Sequence, residues 1–276
     1  MKKIVLEYDT IKLTSDLSAG IDISIPLDFY GNQPNTYGVP YASAQAFQAG
    51  EFIGDVRKGG SCNFEVYSFI PHCNGTHTEG IGHLTAERVQ VPLLFKPLLV
   101  PAVLITLTPV SGMNTHETYT PNPNPEDWII TLSSLQSALE RILPECEALI
   151  IRTLPNPLEK KYWNYAEKPS PYFSHEAMQS LSNTGLKHLL VDFPSIDRLW
   201  DEGLLSNHRI WFQLPEKGHE TPLQISQRTI TEMVYIPAEA EDGNYLLSLQ
   251  TASFIADATP SRPVIFPVHS ITPAEP

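Results

Sequence analysis

The sequence of 276 residues predicts a β-rich α/β domain with few helices. Short segments recur along the chain in which apolar and polar residues alternate or β-branched residues are frequent. Both patterns are typical of strands. Only two segments show clear helical features. Many of the 25 prolines lie in short clusters between these runs, and proline interrupts helices and inner strands. These clusters indicate ordered loops within one domain.

The first third of the chain predicts strands at 21–27, 64–70, 88–95 and 100–107. The first two alternate apolar and polar residues, and the last two are β-rich runs joined by a proline-containing connection.

A helix is predicted at 132–143, where leucine and isoleucine fall on one helical face. Ser133 followed by Gln136 resembles a capping box, and Pro144 stops the run. The loop before this helix contains His116 and Glu117. An extended chain points adjacent residues to opposite faces, so a solvated loop is expected there.

The middle of the chain predicts a strand–helix–strand unit. Strands are expected at 148–153 and 187–193, with a helix at 174–185 between them. Ser174 is the expected N-cap and Gly185 the expected stop. Such a unit predicts a parallel crossover.

The C-terminal third predicts only strands. They are expected at 208–214, 229–236, 245–254 and 262–268.

Charge and composition exclude several functional classes. The formal net charge is −13, and an acidic surface repels phosphate backbones, so no nucleic-acid partner is expected. No apolar run approaches the length of a membrane span, and no signal-peptide core is evident, so a soluble, cytoplasmic protein without a membrane partner is expected. Three cysteines without a CxxC pair predict neither a disulfide framework nor a zinc ribbon.

Metal-binding side chains are concentrated in HCNGTHTEGIGHL at 72–84. Histidine, cysteine and glutamate are all ligands for zinc or manganese. His77 and Glu79 are two residues apart, so on an extended strand both point to one face and can bind one ion together. The glycines in this segment permit tight turns, which allow His83 to approach the same ion. The segment therefore predicts a metal site.

This segment resembles the signature of the cyclase family of metal-dependent hydrolases, which includes bacterial kynurenine formamidases and isatin hydrolases. The family pattern His-x-Gly-Thr-His-x-Asp-x-Pro-x-His is matched at Gly75, Thr76, His77, Glu79 and His83. Further matches in family order are IDISIPL at 21–27, ALIIRT at 148–153, PYFS and EA within 171–177, and VDFPSID at 191–197. The resemblance implies one domain over 1–276 with a swivelling β/β/α fold and a central barrel-like sheet.

The resemblance also implies one or two divalent ions, zinc or manganese. His77 and Glu79 become ligands, and Glu79 can bridge two ions. His83 matches the histidine that acts as general acid and base.

Two more ligands are implied in the later chain, namely His208 in SNHRIWF and Glu232 in TITEMVYI. An insertion, QLPEKGHETPLQ, lengthens the connection between them. His219 lies in this insertion and competes with His208 as the distal ligand.

Three departures from the family pattern concern the site. The first family histidine falls on Cys73, with His72 one place out of register, and either side chain can serve as the ligand because the chain must turn before His77. Glu79 replaces aspartate, which moves the carboxylate outward. Ile81 replaces proline, which loosens the loop.

Ser195 and Asp197 resemble a nucleophile with its carboxylate. No Gly-x-Ser-x-Gly elbow surrounds Ser195, so a structural turn near the site is the better interpretation. His188 lies in an apolar strand and is expected to be a core histidine.

The resemblance implies hydrolysis of a carbon–nitrogen bond in an amide or formamide, with N-formylkynurenine as the leading small-molecule substrate. A cyclic amide or lactone is the alternative substrate, and a metal-binding or oligomeric scaffold without catalysis is the second alternative. The aromatic residues of the loop 29–47 are candidates to cover a ring-bearing substrate or to make a dimer contact. A homodimer or larger homo-oligomer is implied as well.

Overall fold

Seven strands of one large sheet close into a barrel-like ring. The computed structural model describes residues 2–94, 98–140 and 142–273. The strands are β1 (Lys3–Glu7), β2 (Ile11–Asp16), β3 (Ile21–Asp22), β4 (Ser43–Ala46), β5 (Gln48–Ala49), β6 (Phe52–Ile53), β7 (Glu65–Ser68), β8 (His77–Gly80), β9 (Val100–Leu107), β10 (Val110–Ser111), β11 (Trp128–Ile130), β12 (Ala148–Thr153), β13 (Tyr172–Phe173), β14 (His188–Val191), β15 (Thr229–Glu232), β16 (Gly243–Thr251) and β17 (Ala258–Pro273). The α-helices of the described residues are α1 (Pro71–Asn74), α2 (Leu132–Leu139), α3 (His175–Ser182) and α4 (Ser206–Phe212). The predicted strand-rich α/β class with few helices is confirmed.

Strand β8 closes the ring because it is hydrogen-bonded on both sides. The ring order is β17, β16, β9, β12, β14, β15 and β8, and β8 pairs again with β17. β9, β12, β14 and β15 run parallel, whereas β8 is antiparallel to both of its neighbours. A closed sheet leaves no free edge on these strands, and β8 is buried along its whole length.

The parallel strands are buried on both faces, which explains their continuous apolar sequences. In β12, Leu149 and Ile151 pack in a cluster with residues of α3, whereas Ala148 and Ile150 pack in a second cluster. Successive side chains of a strand point to opposite faces, so the two clusters cover the two sides of the sheet. None of the described helices is long and apolar enough to cross a membrane.

The elements with strong local patterns form where the sequence predicts them. β9 and β12 have the predicted bounds, and the parallel crossover from β12 through α3 to β14 is confirmed. The Ser174 hydroxyl accepts the backbone N–H of Ala177 at 3.0 Å, as expected of the N-cap. The helix ends at Ser182 with Asn183 as its C-cap, short of the predicted stop at Gly185.

The predicted strand at 208–214 is wrong, because this segment lies in helix α4. Asp197, from a distant loop, accepts the backbone N–H groups of Asn207 at 2.8 Å and His208 at 3.1 Å. Its carboxylate thereby satisfies the free donors of the first turn. Buried side chains recur one turn apart, from His208 to Phe212, as a helix on the core requires.

Helix α2 starts without the predicted capping box. Ser133 lies inside the helix, and the Glu117 carboxylate instead accepts the backbone N–H of Leu132 at 2.7 Å. Glu117 therefore caps a helix and is half-buried, whereas His116 is exposed in the loop as expected. The helix is described to Leu139, and residue 141 of the predicted 132–143 lies outside the described residues.

Several predicted strands are shorter or absent. Residues Val91–Leu94 form a 3₁₀ turn instead of a strand, because Pro92 cannot donate to a ladder, and residue 95 lies outside the described residues. The strand predicted at 21–27 ends at Asp22, whose carboxylate accepts the Ser24 N–H at 2.9 Å and turns the chain. The remaining predicted strands at 64–70, 187–193, 229–236, 245–254 and 262–268 are present with altered bounds.

The packing predicts the effect of a core truncation. Leu190 of β14 is fully buried in the second cluster, so Leu190→Ala is expected to destabilise the protein by about 2–5 kcal/mol through lost burial and a residual cavity. Chemical denaturation followed by circular dichroism measures this change. Leu223→Ala, at a fully exposed leucine, is the matched control and is expected to have little effect. Equal stabilities of the two variants would contradict the core assignment.

Candidate metal centre

Strand β8 presents His77 and Glu79 side by side on one buried face. Both side chains are fully buried, and their spacing of two residues places them on the same side of the strand. The Nδ1 atom of His77 lies 3.0 Å from the carbonyl oxygen of Gly75. This contact holds the ring so that Nε2 faces the neighbouring acidic residues.

The Glu79 carboxylate lies between two imidazoles. Oε2 is 2.8 Å from Nδ1 of His72, and Oε1 is 2.8 Å from Nε2 of His208. Neither contact has the geometry of a hydrogen bond, so both carboxylate oxygens are buried without a hydrogen-bond partner. Burial opposes the negative charge, but the imidazoles of His83 and His208 outweigh it and hold the pKa of Glu79 well below its ordinary value.

The register between β15 and β8 places Glu232 next to His77 and Glu79. It stands directly opposite His77 where β15 pairs with β8, and its Oε2 lies 3.4 Å from His77 Nε2. Its other oxygen accepts the backbone N–H of Ile196 at 3.0 Å and lies 3.8 Å from Nε2 of His208. The second carboxylate therefore faces the two most buried histidines of the site.

His208 enters from helix α4 and is oriented by Asp197. The Asp197 carboxylate lies 2.6 Å from Nδ1 of His208, which leaves Nε2 directed at Glu79. Burial alone would lower the pKa of His208, but the charges of Glu79 and Asp197 outweigh it and raise that pKa well above the ordinary value. Asp197, expected to belong to a structural turn, thus also supports a candidate ligand.

The geometry favours His72 over Cys73 as the first ligand. The two residues are neighbours in the short helix α1, so their side chains point in different directions. The His72 ring meets Glu79 and packs 5.2 Å from the His77 ring, whereas Cys73 is in none of the ligand-spaced groups of the described residues. Burial, followed by the charge of Glu232, raises the pKa of the Cys73 thiol to about 11.

His83 lies at the more open side of the cluster. Its side chain is 26% exposed, and its Nε2 is 4.0 Å from Oε2 of Glu79. Its ring centroid lies 4.2 Å from that of His72 and 5.6 Å from that of His208. It is therefore close to the carboxylate and still reachable from solvent.

His219, the competitor of His208, is not brought to the site. It is exposed, and its Nδ1 lies 2.8 Å from the carbonyl oxygen of Leu84. The insertion that carries it is also held there by the hydrogen bond from Ala86 N–H to the His219 carbonyl. His219 therefore fastens the insertion to the loop after His83.

Asp257 belongs to the cluster although no sequence motif marks it. Its Oδ2 lies 3.2 Å from Nε2 of His72 and 3.6 Å from Nδ1 of His83. It precedes β17, whose first residue, Ala258, pairs with Glu79. Only the register between β17 and β8 places Asp257 here, so the sequence alone carries no signal for it.

These side chains have the properties of a divalent-cation site. His77 Nε2 and both oxygens of Glu79 are buried without hydrogen-bond partners, and a bound cation would satisfy all three atoms. Among the described residues, three overlapping groups have ligand atoms within 4.8 Å of one another: His72, His77 and Glu79; His72, His83 and Asp257; and Glu79, His83 and His208. Imidazole and carboxylate ligands suit borderline divalent ions.

The comparison with protein families agrees with this arrangement. Residues 16–198, about two thirds of the chain, match the family model named Cyclase. The chain belongs to the cyclase family. The matched span includes His72, His77, Glu79 and His83, whereas His208 and Glu232 lie beyond it.

Solved structures with the same cyclase-family fold are similar at low sequence identity. An isatin hydrolase bound to the product analogue thioisatinate has a TM-score of 0.61 and 13% identity, over 90% of this chain and 92% of that chain. Isatin hydrolase A from Labrenzia aggregata, bound to benzyl benzoate, has a TM-score of 0.60 and 13% identity, over 91% and 94%. A "predicted metal-dependent hydrolase" from Bacillus stearothermophilus has a TM-score of 0.58 and 16% identity, over 90% and 97%. Among curated proteins, the search finds no match to this sequence.

A pair of neighbouring substitutions tests the first ligand of this cyclase-family site. His72→Ala removes an imidazole that contacts Glu79, so metal affinity is expected to fall at least about tenfold. Cys73→Ser, one residue away, is the matched control and is expected to leave the affinity unchanged. Competition titration of zinc against a chromogenic chelator measures both. Loss of affinity in Cys73→Ser alone would make the thiol the ligand.

Proposed function

We propose that this protein is a metal-dependent hydrolase that cleaves the carbon–nitrogen bond of an amide or formamide. The leading activity is that of an arylformamidase, which hydrolyses N-formylkynurenine to kynurenine and formate. The observation that carries the proposal is the convergence of imidazoles on the buried, unpartnered carboxylate of Glu79. The names of the similar structures, which include a metal-dependent hydrolase and isatin hydrolases, support the same class of chemistry.

The proposed site holds one or two divalent ions, zinc or manganese, through the imidazoles and carboxylates that face one another. The residues that would hold them are His72, His77, Glu79, His208 and Glu232. When bound, such an ion lowers the pKa of a coordinated water toward neutrality and polarises the substrate carbonyl. Gly75 and Asp197 orient two of the imidazoles by accepting the proton of the ring nitrogen that faces away from the site.

His83 is the proposed general base and acid. Its Nε2 faces Glu79, and its partial exposure leaves room for water or substrate beside it. In the reaction, Nε2 takes a proton from the attacking water and returns it to the leaving nitrogen as the carbon–nitrogen bond breaks. The products are then a carboxylic acid, which ionises at neutral pH, and an amine. Imidazole suits both steps because its ordinary pKa lies near neutral pH.

An aromatic wall beside the acidic residues favours a ring-bearing substrate. The Tyr37 ring packs edge-to-face on Trp200 with 5.5 Å between centroids. Thr36, the residue before Tyr37, contacts Met233, the residue after Glu232. Burial, followed by the charge of Glu232, raises the pKa of Tyr37. Tyr30 and Phe47 of the same loop point elsewhere, toward Glu65 and toward Phe64. Tyr37 is therefore the member of the loop proposed to meet substrate.

Hydrolysis of a cyclic amide or lactone is the second candidate function. It is favoured by the similarity to isatin hydrolases, one of them bound to a product analogue. A cyclic substrate needs the same proton transfers, but the leaving group stays attached to the product. A metal-binding or oligomeric scaffold without catalysis is the remaining alternative.

We also propose that the protein is a homodimer or tetramer. Phe47, Phe52 and Phe64 pack against one another around β5 and β6, yet each remains exposed by at least 37%. Exposed aromatic clusters of this kind commonly mark protein–protein contacts. Light scattering coupled to size-exclusion chromatography measures the assembly directly.

Metal removal tests the proposed class. Dialysis against a chelator is expected to abolish hydrolysis, and zinc or manganese is expected to restore it, because the proposed water activation needs the ion. Product formation from N-formylkynurenine, isatin and simple lactones, assayed in parallel, identifies the preferred bond. Absence of bound metal together with no turnover of any substrate after reconstitution would leave only the scaffold alternative.

Substitution of the proposed acid and base tests the mechanism. His83→Ala is expected to lower kcat about 10²–10⁴-fold, because no side chain then shuttles the proton. The metal content should persist, since the buried carboxylates and the other imidazoles remain. His116→Ala, at an exposed loop histidine, is the control and is expected to keep full activity. Full turnover of a metal-loaded His83→Ala variant would contradict this role.

A further inference from the structure

Each histidine of the centre presents one ring nitrogen to the acidic residues and the other to a separate acceptor. His77 turns Nδ1 to the Gly75 carbonyl and Nε2 to Glu232. His208 turns Nδ1 to Asp197 and Nε2 to Glu79. An acceptor on the outer nitrogen fixes both the orientation and the tautomer of a ring.

One oxygen of Asp257 serves the two remaining histidines. Nε2 of His72 lies 3.2 Å from Oδ2 in hydrogen-bond geometry, while Nδ1 of the same ring faces Glu79. Nδ1 of His83 lies 3.6 Å from the same oxygen, while its Nε2 faces Glu79. The second contact is longer than a hydrogen bond, and such contacts of catalytic groups often shorten in the substrate complex.

Hydrogen bonds hold the backbone around Asp257 against the segment that carries His83. Its carbonyl accepts the N–H of Gly80, the last residue of β8, at 3.2 Å. The carbonyl of the preceding residue, Ala256, accepts the N–H of Val91 at 3.0 Å. Hydrogen bonds thus tie two consecutive residues to separate parts of the loop that carries His83, so the carboxylate is held in place although its side chain is 36% exposed.

We infer that Asp257 is a positioning residue that fixes the orientation and tautomer of His83, and of His72 beside it, so that His83 Nε2 stays unprotonated and faces the reacting water. The inference deepens the proposed function and rests on it for its kinetic consequence. Without this acceptor, the His83 ring is free to carry its proton on Nε2, where it cannot act as a base.

Two variants of the metal-loaded full chain test this role kinetically. Asp257→Ala is expected to lower kcat about 10–100-fold with little change in KM. Asp257→Asn is expected to recover part of the loss, because an amide oxygen still accepts one ring N–H. The matched control is Asp22→Ala, since Asp22 is 38% exposed and binds Arg262 of the same strand β17 at 2.7 Å, with no contact to the histidines. Its kcat should equal that of the unmodified protein.

A second measurement needs no substrate. Long-range ¹H–¹⁵N correlation spectra of histidine-labelled, zinc-loaded protein report which ring nitrogen carries the proton. We expect His83 to be protonated on Nδ1 in the unmodified protein and in Asp22→Ala, and to show Nε2 protonation in Asp257→Ala. Unfolding temperatures should agree among the variants, because a partly exposed ion pair contributes little to stability.

The two measurements separate failure of the inference from failure of the proposed function. If the unmodified protein hydrolyses a substrate, an unchanged kcat or an unchanged His83 tautomer in Asp257→Ala overturns the inference. If the unmodified protein hydrolyses none, the proposed function fails, and the His83 tautomer alone decides whether Asp257 positions the ring.

Discussion

The pairing of β8 on both of its sides is the constraint on which the site depends. Glu79 stands opposite Ile230 of β15 on one side and Ala258 of β17 on the other. A slip of one residue in either pairing would turn the ligand face of β8 away from its partners, because side chains alternate between the two faces. The buried ring resists such a slip, since the apolar faces of its strands would be exposed with it. Closure of the barrel therefore fixes the positions of His77, Glu79 and Glu232 as well as the core.

This constraint also explains how the fold tolerates so much buried polarity. Burial of the Glu79 carboxylate opposes its charge, and the imidazoles of His83 and His208 that face it offset that cost. His77 Nε2 is also buried without a hydrogen-bond partner. An arrangement of this kind persists only when the surrounding packing determines it. The two apolar clusters on either side of the parallel strands supply that packing. The ring thus holds the buried carboxylate and the imidazoles together, where a bound ligand would complete their contacts.

Features that depend on a local sequence pattern are predicted correctly, whereas features that depend on contacts between distant residues are not. The shared face of His77 and Glu79 follows from their spacing, and the bounds of β12 follow from a continuous apolar run. Helix α4 could not be predicted, because Asp197 supplies its first hydrogen bonds across a gap of ten residues. The place of Asp257 could not be predicted either, because it depends on pairing between strands far apart in sequence. The choice between neighbouring side chains at the first ligand depends on a single helical turn, which the motif does not define.

Two of the departures from the family pattern meet in space. The proposed first histidine ligand is one residue early, at His72, and the proposed acidic ligand is lengthened by one methylene, at Glu79. These side chains are in contact, with 2.8 Å between His72 Nδ1 and Glu79 Oε2. The other oxygen of Glu79 contacts His208, which lies far away in the sequence. An aspartate would draw the carboxylate back toward β8 and away from one imidazole or the other. The longer acid therefore suits the shifted histidine, and the two changes are best understood as one adjustment of the same contact.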